Sequence, residues 1–156
     1  MRVIITFCIT LILLVSCTND VTIDQQWLED NYTKREVMIP MRDGIKLYTS
    51  IYEPDDAQER PVLIVRTPYS CAPYGEGWKG DLTEYMQEFL KNHYVIAFQD
   101  VRGRYMSEGQ YENVRPYNPH KSDNETDEAS DTYDTIEWLI SNTDNNGSVG
   151  VTGMSY

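Results

Sequence analysis

The sequence is poor in the residues that proteins most often use as metal ligands and general bases. It contains two histidines, His93 and His120, and three cysteines among 156 residues. No set of Cys, His and Asp has the spacing of a metal site, and there is no glycine-rich loop of the phosphate-binding kind. The sequence therefore predicts no metal and no cofactor.

Basic residues are also scarce. There are 13 Lys and Arg against 25 Asp and Glu, which gives a formal net charge of −12. A nucleic acid would require a basic face to meet its phosphates, and a polybasic membrane surface is equally unsupported. Much of the acid falls between Asp123 and Asp134. Solubility is the simplest role for this charge, and nucleic acid is excluded as a partner.

The N-terminus has the features of an export signal. Residues 1–17 contain one Arg, an apolar run from Val3 to Val15, and then Ser16-Cys17. The run is short for a membrane span and typical of a secretory signal. Leu-Val-Ser-Cys resembles a bacterial lipobox, which implies a lipid anchor on Cys17 and a place in the bacterial cell envelope, at the outer membrane or periplasmic face. An ordinary secretory signal with an incidental cysteine is the alternative.

The exported part then keeps one cysteine. Cys8 and Cys17 belong to the signal, so Cys71 has no disulfide partner within residues 18–156; a buried thiol and a partner beyond residue 156 are the two alternatives. Residues 18–32 are predicted to be a tether because they are mostly polar, and residues 33–156 to carry the folded part.

The apolar pattern predicts an α/β fold. Alternating residues on both sides of Asp43-Gly44 indicate an antiparallel hairpin. Three short apolar runs indicate buried strands, and two amphipathic stretches indicate helices between them. The strands are predicted over 61–65, 94–98 and 149–152, and the helices over 81–92 and from a Ser122 capping box to about residue 142. Strands joined by helical crossovers pair in parallel and bind ligands at their carboxyl ends.

The loop after the last strand reads Gly153-Met154-Ser155-Tyr156. Gly-x-Ser after a strand is the first half of a nucleophile elbow, in which small residues permit a strained turn. Ser155 is therefore a candidate nucleophile; a serine in a plain strand-to-helix turn is the alternative. A catalytic serine needs a histidine base, which follows it in the chain order of this fold. Neither His93 nor His120 meets that requirement.

The other two loops offer a hydrogen-bond donor and a scaffold. Arg66-Thr67-Pro68-Tyr69 follows the first buried strand. Pro68 has no N–H to donate, but the Tyr69 hydroxyl could donate to an oxyanion or only pack in the loop. Asp100-Val101-Arg102-Gly103-Arg104-Tyr105 follows the second strand. Charge-assisted hydrogen bonds suit this loop to a scaffold role, and a catalytic role for Asp100 is disfavoured by its position before the serine.

Together these three loops resemble the cocaine-esterase and X-prolyl dipeptidyl aminopeptidase superfamily of α/β-hydrolases. The likeness is closest to α-amino-acid ester hydrolases and glutaryl or cephalosporin acylases. It implies an α/β-hydrolase core, a Ser-Asp-His triad and an acyl-enzyme. It also implies that Ser155 is the nucleophile, that Tyr69 donates its hydroxyl to the oxyanion hole, and that the backbone N–H of Tyr156 completes the hole.

The same resemblance implies that the acid, the histidine, a helical cap and a C-terminal jelly-roll domain follow the nucleophile. Residues 33–156 would then be the N-terminal portion of the hydrolase domain, inactive alone. The expected function is a serine hydrolase of small esters, amides or short peptides. An X-prolyl dipeptidyl peptidase or a general esterase is the alternative within this class. A non-catalytic surface lipoprotein that uses the sheet as a binding module is the alternative outside it.

Overall fold

The computed structural model describes residues 21–156 and contains one mixed sheet of five strands with helices on both faces. The sheet order is β1-β2-β4-β3-β5. The elements are α1 (Gln25–Asn31), β1 (Tyr32–Pro40), β2 (Lys46–Pro54), β3 (Arg60–Thr67), α2 (Asp81–Tyr85), α3 (Gln87–Lys91), β4 (Val95–Asp100), α4 (Glu128–Asn142) and β5 (Asn145–Thr152). The predicted α/β class is confirmed.

The hairpin and the parallel pairs of strands form as the sequence pattern predicts, and β4 joins the two parts of the sheet. β1 and β2 pair antiparallel from Tyr32↔Pro54 to Pro40↔Lys46, around a turn in which Gly44 has φ of 85°. β2 is also antiparallel to β4, whereas β3 is parallel to both β4 and β5. All six residues of β4 are buried, as expected for a central strand covered on both faces.

Alternate residues of β4 enter two separate cores. Ile96 and Phe98 belong to a cluster with Leu28, Leu82 and Leu90, which come from α1, α2 and α3. Val95 and Ala97 belong to the second cluster, which contains Leu139 of α4. The sheet is thus the middle of three layers, and α4 covers the face opposite to the three short helices.

Several details of the predicted elements are wrong. The tether predicted over 18–32 includes α1, which Asp24 caps and whose Leu28 is buried, so from Ile23 onward this stretch packs on the domain. The predicted helix over 81–92 is two short helices that meet at Met86. The strand β5 forms as predicted; among the described residues it pairs with β3 on one side only, and Val151 is 56% exposed.

The start of α4 also differs from the prediction. The helix begins at Glu128, because Asp127 and Ser130 cap each other reciprocally, and not at Ser122. Its buried side includes Asp131, Thr135 and Leu139. Polar residues are unusual on the inner side of a helix. Asp131 and Thr135 lie near the carboxyl ends of the parallel strands, where Arg102 and Gln99 contact them.

Among residues 21–156, no helix has both the length and the apolarity needed to cross a bilayer. The predicted signal over 1–17, with Cys17, lies outside the described residues.

Candidate active site

The carboxyl ends of the three parallel strands lie side by side. Thr67 pairs with Asp100, and Val65 pairs with Thr152. The loops that follow these strands therefore meet at one edge of the sheet, as the predicted topology requires.

Ser155 lies in a tight turn directly after β5. Its φ is +70°, a left-handed conformation that a non-glycine residue adopts at a cost of about 1–3 kcal/mol. A Cβ at Gly153 would approach the carbonyl oxygen of Tyr156 to 2.4 Å. A glycine is thus required at 153 for the turn to close, and Ser155 is held on its exposed side. These are the backbone features of a nucleophile elbow.

The Tyr69 side chain reaches Ser155 from the loop after β3. Its hydroxyl oxygen lies 3.4 Å from Ser155 Oγ, although the two residues are 86 positions apart in sequence. An oxyanion donor must be close to the oxygen of the attacked carbonyl and must leave the nucleophile free to attack. At 3.4 Å, longer than an ordinary O–H···O hydrogen bond, the contact leaves Ser155 Oγ free to attack and keeps the Tyr69 hydroxyl next to the nucleophile.

Tyr156 directs its side chain away from this contact. It lines a cavity of about 330 Å³ together with Arg66, Glu128 and Thr132. Burial, with a contribution from the Glu128 carboxylate, raises the pKa of the Tyr156 phenol to about 12. The phenol therefore stays protonated at neutral pH, and the role predicted for the Tyr156 backbone N–H in the oxyanion hole stays a prediction.

A cavity of about 420 Å³ opens beside Ser155. Its wall is mixed, with aromatic, apolar and charged side chains, and it includes Tyr69, Lys79, Tyr85, Phe98 and Met154. The ammonium of Lys79 lies 5.4 Å from the centre of the Phe98 ring and donates a hydrogen bond to the carbonyl of Ser70. This volume suits a small acyl group.

A cluster of buried charges lies beneath the same edge. The guanidinium of Arg102 forms ion pairs with Asp131 and Asp43, and Arg115 pairs with Asp131 and Glu128. Burial would raise the pKa of Asp131, but hydrogen bonds from the two arginines outweigh it and lower that pKa. Arg102 thus ties the loop after β4 to α4 and to the hairpin turn, which confirms the scaffold role predicted for that loop.

Sequence reasoning missed most of this cluster. Arg66 is buried and bonds Gln99, Glu128 and Thr132 across the sheet and α4. The available signal was an arginine that continues the apolar run of β3, a position at which a charge needs buried partners.

The two histidines lie away from Ser155. His93 lies just before the first residue of β4, whereas Asp100 is the last residue of that strand. The Nδ1 atom of His93 is 3.0 Å from the Asp56 carboxylate. His120 is exposed in the loop before α4. Within residues 21–156, no histidine contacts Ser155, and no group of three His, Cys, Asp or Glu side chains could hold a metal ion.

Comparison with known proteins identifies hydrolases. Residues 43–156 match the family described as X-Pro dipeptidyl-peptidase (S15 family). The cocaine esterase of Rhodococcus sp. (strain MB1 Bresler) is 35% identical over 130 residues, which are 83% of this chain and 20% of that protein. An aminopeptidase from a marine sediment Thaumarchaeota archaeon superposes with a TM-score of 0.70 and 40% identity, over 81% of this chain and 22% of that one.

An α-amino acid ester hydrolase superposes with a TM-score of 0.68 and 38% identity, over 91% of this chain and 24% of that one. The chain thus spans between a fifth and a quarter of the length of these relatives.

Proposed function

Because the chain belongs to the X-Pro dipeptidyl-peptidase (S15) family, we propose that it carries the nucleophile and the oxyanion hole of a serine hydrolase. The observation that carries the proposal is the approach of the Tyr69 hydroxyl to within 3.4 Å of Ser155 Oγ, at the carboxyl edge of the parallel strands. The left-handed conformation of Ser155 supports it independently.

The chemistry would be acyl transfer. Ser155 Oγ attacks the carbonyl carbon of an ester or amide and loses its proton to a general base. The carbonyl oxygen becomes an oxyanion that accepts hydrogen bonds from the Tyr69 hydroxyl and the Tyr156 N–H. The intermediate collapses, the leaving group departs with a proton, and water then releases the acyl group from Ser155.

The substrate would be a small ester, amide or short peptide. The similarity to an α-amino acid ester hydrolase over 91% of this chain supports amino-acid esters and acylase-type amides as the first candidates. The family description favours X-prolyl peptides as the second candidate.

Catalysis requires a base that this chain's histidines do not supply at Ser155. His93 lies beside Asp56, before the start of β4, and His120 lies exposed in a different loop. We expect residues 21–156 alone to show no turnover for this reason.

Residues 1–17 would direct the protein to the bacterial cell envelope. If Cys17 carries a lipid, metabolic labelling with a fatty-acid probe will mark the protein, and Cys17→Ser will abolish the label. A label that survives Cys17→Ser would contradict the anchor.

The test of the hydrolase proposal is a chimaera. The segment of the Rhodococcus cocaine esterase that aligns with this chain is replaced by this chain's residues, because 35% identity over 130 residues makes the exchange feasible. The chimaera is assayed with amino-acid esters, aryl esters, β-lactam amides and X-Pro peptides. Ester turnover is expected, and any shift in preference relative to the parent reports on the cavity beside Ser155. A folded chimaera with the parent's melting temperature and no turnover would contradict the proposal.

A further inference from the structure

Asp100 is a buried carboxylate that has no place in the chemistry described above. Its relative exposure is 0%, and it ends β4. A buried carboxylate is costly unless donors satisfy its oxygens. Three donors do so: the backbone N–H of Cys71 at 2.8 Å, the hydroxyl of Tyr74 at 2.9 Å and the backbone N–H of Met106 at 3.3 Å.

Two of these donors belong to the loop that carries Tyr69. Cys71 lies two residues after Tyr69, and Ser70 between them has φ of +94°. The hydroxyl of Tyr74 is also 3.0 Å from Ser70 Oγ. Burial, together with the Asp100 carboxylate, raises the pKa of Tyr74 to about 12, so its phenol stays protonated and can donate. Asp100 thus holds the strained side of the loop.

The segment after Asp100 holds the other side of the same loop. Arg104 Nε donates to the carbonyl of Pro68 at 3.0 Å, and the N–H of Val101 donates to the carbonyl of Thr67 at 3.1 Å. The backbone is therefore fixed on both sides of Tyr69, whose own side chain is 61% exposed. An exposed side chain has few packing contacts, so the position of its hydroxyl depends on the backbone that bears it.

We propose that Asp100 is a positioning residue for catalysis, whose carboxylate fixes the Tyr69 loop so that the Tyr69 hydroxyl stands beside Ser155. This proposal rests on the proposed hydrolase function. The positioning role explains why a carboxylate is buried at the end of β4, where an apolar side chain would avoid the cost of desolvation.

The test is a double-mutant cycle in the chimaera. Asp100→Asn keeps the size of the side chain but replaces one acceptor oxygen with an NH₂ group. That group would face another donor, either the Tyr74 hydroxyl or a backbone N–H, so at least one hydrogen bond is lost. A loosened loop should lower kcat about 10-fold with little change in KM, since misplacement of a catalytic group acts on the transition state. In the Tyr69→Phe background the same substitution should change kcat less than twofold, because the hydroxyl that it positions is gone.

A matched control is Asp131→Asn, which alters an equally buried carboxylate that contacts Arg102 and Arg115 and makes no hydrogen bond to the Tyr69 loop. Its effect on kcat should be the same in both backgrounds. If Asp100→Asn fails to fold, Tyr74→Phe removes a single donor and leaves Asp100 in place; it should show the same dependence on Tyr69 with a smaller loss.

A second readout uses the whole 156-residue chain. Cys71 is fully buried, and burial raises the pKa of its thiol. Peptide mapping after maleimide treatment should show faster modification of Cys71 in Asp100→Asn than in Asp131→Asn at matched stability.

The outcomes separate this proposal from the function on which it rests. If Tyr69→Phe lowers kcat strongly, but Asp100→Asn lowers kcat by the same factor in the chimaera that keeps Tyr69 and in the Tyr69→Phe chimaera, only the positioning role of Asp100 is overturned. No loss in Tyr69→Phe would overturn the oxyanion-hole role of Tyr69 and the positioning role together.

Discussion

The Tyr69 loop and the Ser155 turn meet at the same site but are held by different means. Side chains from the segment that ends β4 and follows it bind the Tyr69 loop: Asp100 and Arg104 each contact its backbone. The Ser155 turn owes its shape to the backbone itself, with φ of +70° at Ser155 and a glycine at 153 that permits close approach of the Tyr156 carbonyl.

This difference predicts different sensitivities. Substitutions that are remote from Tyr69 should alter the position of its hydroxyl, because the loop depends on those contacts. The Ser155 turn should instead respond to changes in its own backbone freedom. In the proposed mechanism Ser155 attacks the carbonyl carbon and Tyr69 donates to the carbonyl oxygen. Displacement of either residue should therefore lower the rate of acylation.

The largest effect is expected from removal of the nucleophile. In the chimaera, Ser155→Ala should lower kcat for an ester at least about 10⁴-fold, because no covalent intermediate can form. Stopped assays with an aryl ester measure this loss, and the melting temperature of the variant controls for folding. Retention of more than a tenth of the activity would exclude Ser155 as the nucleophile.

Loss of the Tyr69 hydroxyl should have the next largest effect. Tyr69→Phe leaves the ring in place and removes one oxyanion donor, which typically costs about 100- to 1,000-fold in kcat. Steady-state kinetics in the chimaera measure it, with Tyr85→Phe as the control, since Tyr85 also lines the cavity and is exposed. Equal effects of the two substitutions would argue against a special role for Tyr69.

A methyl group at 153 should have an intermediate effect. In Gly153→Ala the new Cβ collides with the Tyr156 carbonyl, so the turn must open. Displacement of Ser155 and of the Tyr156 N–H by about 1 Å should lower kcat roughly 10- to 100-fold. Gly147→Ala, at a glycine with φ of +80° and open space around it, controls for the general loss of stability that an added methyl group can cause away from the site. Similar losses in both variants would contradict the account.

The smallest effect concerns stability under acid. The pKa of Asp131 is lower in the fold than its usual value of about 4, so its ion pairs stabilise the protein above that value. This contribution is lost as the pH falls through the lowered pKa, with a limiting slope of about 1.4 kcal/mol per pH unit for one proton. Urea unfolding of the 156-residue chain between pH 2 and 7 should show a shallower acid dependence in Asp131→Asn. An unchanged dependence would place the acid sensitivity elsewhere.

The order of helices and strands along the chain could be predicted from the sequence, because apolar runs and glycines are local signals, and the meeting of the three loops follows from parallel pairing. The start of α4 could not. Ser122 and Glu125 have the spacing of a cap, and the Ser122 N–H does donate to Glu125 at 2.6 Å, but the chain turns there and the helix follows Asp127. Two competing caps so close together cannot be ranked from local sequence.

The buried charges could not be predicted for a different reason. Asp131 looks like part of a solvated acidic helix start until Arg102 and Arg115, which are 29 and 16 residues away in sequence, are brought onto it. Burial of a charge depends on such long-range pairing, and a single sequence does not reveal it. The proximity of Tyr69 to Ser155 was, by contrast, implied by the family resemblance.

The central claim is that Ser155 forms the acyl intermediate. The most direct measurement is to quench the chimaera with acid during turnover of a slowly released ester, digest it and locate the added mass by peptide sequencing. The account predicts the acyl group on Ser155, with less of it accumulating when Tyr69→Phe slows the acylation step. An acyl group on another residue, or a burst of product from the Ser155→Ala chimaera, would contradict it.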